Sequence, residues 1–147
     1  MHKHLFITRA LGLADIPFDF ELYHYGPYSF ELDGVLAEME MFGELNKRYR
    51  KAGYGPSYEI TSLGEEALAQ LGAEEIDVSA TVAAKLARLD SAALELIATC
   101  LYVELVEGES DDDVIVPRVK EIKPKYSVSR IEWALGQARR LRNDLQR

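Results

Sequence analysis

The stretch Tyr23-His24-Tyr25-Gly26-Pro27-Tyr28-Ser29, followed by Phe30-Glu31-Leu32-Asp33-Gly34-Val35-Leu36-Ala37-Glu38-Met39-Glu40-Met41-Phe42, decides the reading of this chain. Gly26-Pro27 is expected to turn the backbone, because glycine tolerates positive φ and proline restricts both itself and the residue before it. Ser29 is suited to cap a helix N-terminus. Leu32, Val35, Leu36, Met39 and Phe42 then recur with helical spacing, which predicts an apolar stripe, and Gly43 is placed to end the helix. Upstream, Phe18 to Tyr23 alternates apolar and polar residues, the period of a half-buried strand. Leu5, Phe6, Ile7, Leu11 and Leu13 suggest a first helix that breaks between Gly12 and Pro17.

Downstream, Leu45 to Tyr49 and Tyr58 to Thr61 read as a hairpin with a basic tip. Thr61 or Ser62 can cap a short helix with an inner stripe of Leu63, Ala67, Leu68 and Leu71. Helix, hairpin and capped helix in this order are parts of a winged helix, and Tyr58-x-Ile60-Thr61-x-x-Gly64-x-x-x-Leu68 fits the return of a wing to its core. The remainder is helical. Val78, Val82, Leu86 and Leu89 form one stripe, and a helix capped by Asp90 or Ser91 is apolar on most sides and expected to be buried. Val114 to Val119 predicts a short helix or turn, and Ser129 with Glu132 has the spacing of a cap for the last helix. Tyr54-Gly55-Pro56 echoes the first bend without its flanks. The fold class expected is mainly α (α+β): one domain over 1–147, a winged-helix-like part (1–72) packed against a helical part (73–147).

The charge contradicts the silhouette. From Ala10 to Asn46 there are eight Asp or Glu and no Lys or Arg. A helix in the position that usually reads DNA would bring negative charge to phosphates. Lys47, Arg48, Arg50 and Lys51 follow at once as a basic cluster, within a total charge of −8. At 147 residues the chain can bury a core without disulfides. The single cysteine, Cys100, fits a reducing cytoplasm, and no apolar run reaches the length of a membrane span.

Catalytic and metal sites have weak claims. His2 and His4 lack metal-ligand spacing, and His24 alternates with tyrosines at a strand end. Cys100 sits among Leu, Ile and Val rather than beside a base. Asp111, Asp112 and Asp113 lack the alternation and glycine of a calcium loop, and no glycine-rich phosphate loop is present. No enzyme activity, metal or cofactor is therefore expected. The aromatic bend is a stronger candidate: Tyr25 and Tyr28 are the rings most suited to an interface, whereas Phe18, Phe20 and Phe30 are expected in the core and Trp133 packed against the bend or the other helices.

The run Phe20-x-x-Tyr23-x-Tyr25-Gly26-Pro27-Tyr28-Ser29-x-x-Leu32-x-x-x-Leu36 resembles the YwgA-like family and the related SocA-like (Panacea) and DarG C-terminal antitoxin domains. Leu94-x-Leu96-Ile97-Ala98-Thr99, with Lys123-Pro124-Lys125-Tyr126-Ser127 and on to Ile131 and Ala134, is similar to their helical second half. Those families usually begin with a Lys-Leu-Gln-Lys-like helix, whereas only Met1 to Phe6 stands here. Either the first helix is shortened or the chain begins inside it. The resemblance implies a non-enzymatic interaction domain that binds a protein partner, a toxin in the antitoxin relatives. Joined to the charge pattern, it makes Tyr25, Tyr28, Glu31, Asp33, Glu38 and Glu40 the expected partner-binding residues for a basic protein. The alternative is a winged-helix transcriptional regulator whose Lys47, Arg48, Arg50 and Lys51 contact DNA phosphates. Self-association is left open.

Overall fold

The computed structural model describes residues 1–49, 55–71 and 80–145. Arg50, Lys51, Tyr54 and Val78 lie outside the described residues. The protein is mainly α, with seven helices and two antiparallel hairpins among the described residues. Its internal contacts divide it into two units, Ser29–Ile76 with Met1, and His2–Tyr28 with Asp77–Arg147.

In the larger unit, α1 (His2–Ala10), β1 (Glu21–Tyr23) and β2 (Gly26–Tyr28) precede α4 (Ala80–Ala87), α5 (Ser91–Leu105), α6 (Asp112–Ile122) and α7 (Val128–Leu145). The apolar circumference of α5 makes it the central helix, against which α1, β2, α6 and α7 all pack. Leu96, Ile97, Ala98, Cys100, Leu101 and Val103 are completely buried. Asp90 starts the helix by accepting a hydrogen bond from Ala93 N at 2.7 Å. Ile115 and Val119 of α6 and Ile131, Ala134, Leu135, Ala138 and Leu141 of α7 close the core. On α1, Phe6 meets Phe20 edge-on at 5.4 Å between ring centroids.

Four local expectations change here. The strand predicted over Phe18–Tyr23 is confined to Glu21–Tyr23, and Gly26-Pro27 is not the turn but the start of β2, paired as Tyr23 with Gly26 and Leu22 with Pro27. His24 and Tyr25 make the turn at negative φ, so the left-handed position falls on Gly26, at φ +101°. The segment after Asp111 is a full helix of 11 residues that accommodates Pro117, and its Asp111 cap accepts from Asp113 N at 2.9 Å. The last helix begins at Val128, and its cap is Ser127, which accepts from Arg130 N, not Ser129.

The smaller unit runs α2 (Phe30–Met41), β3 (Leu45–Arg48), β4 (Ser57–Ile60) and α3 (Ser62–Leu71). Ser29 caps α2 as predicted, its hydroxyl accepting from Leu32 N at 3.2 Å. At the other end Gly43 N bonds Glu40 O and Glu44 N bonds Met39 O, a Schellman pair that requires the positive φ of Gly43. The hairpin pairs Leu45 with Ile60 and Arg48 with Ser57. Thr61 caps α3, accepting from Gly64 N at 3.1 Å while its own hydroxyl donates to Gly43 O at 2.6 Å.

Gly64 explains the Tyr-x-Ile-Thr-x-x-Gly pattern. A Cβ there would overlap the Glu44 carbonyl oxygen and come within 2.8 Å of Ile60 Cγ1, so only glycine lets α3 lie on the strand it leaves. The predicted stripes are only partly realised. Leu32 and Leu36 of α2 are buried, but Val35 and Phe42 are exposed, and Leu63, Leu68 and Leu71 of α3 are exposed as well.

Candidate interaction surfaces

The bend is built into the larger unit by a buried charge. Glu95 stands on α5 at the unspecified position between Leu94 and Leu96, with its side chain 5% exposed. Lys123, equally buried at the C-cap of α6, brings Nζ to 2.7 Å from Glu95 Oε1 and donates to the His24 carbonyl oxygen at 2.6 Å. Tyr126 donates its hydroxyl proton to Glu95 Oε2 at 2.9 Å, and Lys125 lies 3.5 Å from the same oxygen. Burial pushes the Glu95 carboxyl up, but hydrogen bonds from Lys123 and Tyr126 and the charges of Lys123 and Lys125 outweigh it and hold the group below its usual range. Gly26 packs over the Glu95–Thr99 turn of α5, and Pro27 is fully buried. The two motifs that carried the resemblance, around Tyr25-Gly26-Pro27 and Lys123-Pro124-Lys125-Tyr126, therefore meet at one carboxylate.

Tyr28 is half-buried, with its ring stacked on His2 at 4.1 Å and tilted against Tyr23 at 5.4 Å. Tyr25 is 61% exposed at the tip of the turn. Both belong to the larger unit, whereas Glu31, Asp33, Glu38 and Glu40 belong to the smaller one. All four acids are exposed, on two flanks of α2 separated by the buried Leu32 and Leu36. Helical spacing aligns Glu31, Val35, Glu38 and Phe42 along one flank, and Asp33 with Glu40 along the other.

The second flank faces the hairpin of its own unit. Asp33 and Glu40 both act electrostatically on Tyr58, and Glu40 also acts on Lys47. Lys47 lies 5.5 Å from the centroid of the Tyr49 ring, and the hydrogen bond with Tyr49 is the main cause that raises its pKa. Arg48 pairs with Glu59 at 3.2 Å, both side chains well exposed. Such a pair is worth about 0–1 kcal/mol and leaves Arg48 available to a stronger partner.

Phe18 and Phe20 are half-buried, whereas Phe30 is 57% exposed, contrary to its expected place in the core. Trp133 is 38% exposed and lies under the guanidinium of Arg130 at 4.2 Å, a cation–π contact. Cys100 is fully buried, and burial pushes its thiol up to about 12, which makes it a packing residue.

Glu95 was not singled out in the sequence, and Lys123 entered only as part of a motif of the resemblance. The available signal was a lone acid inside a helix apolar on most sides, since a buried carboxylate requires a partner. No protein-family model matches the chain, and no curated protein is significantly similar to it.

Proposed function

We propose that the protein is a non-enzymatic interaction module that binds a basic protein partner through the smaller unit, in the manner of the antitoxin-type domains it resembles. The observation that carries this reading is the coincidence of charge and exposed apolar surface. Ser29–Ile76 contains ten acidic and four basic residues, a net charge of −6 out of the −8 of the whole chain. It also exposes Phe30, Val35, Met41, Phe42, Ile60, Leu63, Leu68 and Leu71. Apolar groups within a net excess of carboxylates suit a cationic protein surface and repel nucleic acid.

Within this surface the Glu31–Val35–Glu38–Phe42 flank is the preferred contact, because the Asp33–Glu40 flank already acts on Lys47 and Tyr58. Tyr25, exposed on the other unit, is a separate candidate contact. The test is affinity capture with mass spectrometry in the native host, comparing the natural chain with Glu31→Lys/Glu38→Lys. The double reversal should remove a basic protein from the captured set, and retention of all captured proteins would reject the reading.

The DNA-binding alternative rests on Lys47 and Arg48 of β3, with Arg50 and Lys51 following them in the sequence before β4. It predicts a gel shift that strengthens as salt falls and disappears when those four residues are neutralised. Absence of a shift at low salt removes it.

A further inference from the structure

We propose that the groove between α6 and α7 is a docking site for a protein segment presenting an arginine or lysine beside apolar side chains. The groove is an open depression of about 510 Å³. Val116 and Leu135 form a buried apolar floor, and Val128, 47% exposed, continues it on the wall. Asp112 is committed to Arg139, which donates to it at 2.8 Å through Nη1. Among the described residues neither Asp113 nor Glu132 forms an ion pair, so the lining keeps uncompensated negative charge around an apolar base. That combination selects a cationic head on an aliphatic stem and disfavours both a nucleic acid and a neutral lipid.

Two features of the groove weaken the helices that form it. Gly136 stands inside α7, where glycine is less favourable than alanine, and a Cβ there would meet nothing within 4 Å. Among the described residues no neighbour requires this glycine, whereas the close approach of another backbone would. Pro117 brings no N–H for the carbonyl of Asp113, the residue four before it, and thus leaves an acceptor without its usual helical donor at a groove residue. An apolar floor, a carboxylate rim and a missing side chain between two helices are the requirements for receiving an amphipathic segment.

The test is fluorescence anisotropy of the full chain with a labelled synthetic helical peptide carrying leucines and arginines four residues apart. Saturable binding is expected, weakened at least tenfold by Glu132→Lys and by Gly136→Leu, while Gly136→Ala raises Tm by a few degrees. Glu31→Lys/Glu38→Lys should leave within twofold the component of binding that Glu132→Lys removes, which separates the groove from the surface proposed on the smaller unit. Four results would overturn the assignment: no binding, binding that survives both groove variants, equal binding of a peptide with serines for leucines, or self-association of the chain that Gly136→Leu abolishes. The last would make a second copy the occupant.

Discussion

Glu95 is surrounded by groups that would be expensive to bury singly and are compatible only together. Removing one member of a buried ion pair leaves the other uncompensated, at a cost of about 3–5 kcal/mol, whereas replacing both by apolar residues is often near neutral. Glu95→Ala and Lys123→Ala should each lower the urea-unfolding free energy of the chain by that order, and Glu95→Leu/Lys123→Met should recover only part of the loss, because the His24 carbonyl and the Tyr126 hydroxyl lose their partners. The pH dependence follows from the direction of the Glu95 shift. A carboxyl depressed in the folded state contributes fully above the unfolded value of about 4.3 and loses its contribution as pH falls through the lower folded value. Acid-unfolding curves should therefore flatten in that window for Glu95→Gln. At the other end of the scale, a Cys100 thiol pushed up to about 12 in a closed core should resist a thiol reagent at pH 8 and react at the rate of unfolding.

The elements were legible where local chemistry fixed them. Ser29 and Gly43 bound α2 because a capping hydroxyl and a positive φ act within a few residues. Gly26 does need its conformational freedom, but the turn falls two residues earlier, at His24-Tyr25, because antiparallel pairing of Glu21–Tyr23 makes Gly26–Tyr28 a strand. Periodicity could not tell which apolar faces of α2 and α3 would be covered, since that depends on distant chain. The Glu95 junction depends on pairing residues 28 and 99 positions apart, and no local pattern encodes it. Gly64 gives the sharpest test at this scale. Gly64→Ala should force α3 away from Glu44 and Ile60, destabilising the smaller unit by about 1–3 kcal/mol, visible as faster amide exchange in Leu45–Ile60 than in α5.

Across the whole molecule, charge and apolar burial are distributed unequally. The larger unit holds the continuous core around α5, and the smaller one holds three-quarters of the net charge together with much of the exposed apolar surface. This asymmetry underlies the proposal that the smaller unit carries the surface for a basic partner. A charge-driven contact should associate more slowly as salt rises, because steering is screened over about 8 Å at physiological ionic strength. The most direct measurement is quantitative affinity capture from the native host with the natural chain, Glu31→Lys/Glu38→Lys, and Asp33→Lys/Glu40→Lys. The account predicts a basic protein captured by the natural chain, lost with the first variant and reduced less by the second. Capture of the same protein in equal amount by all three, or of no basic protein by the natural chain, would contradict it.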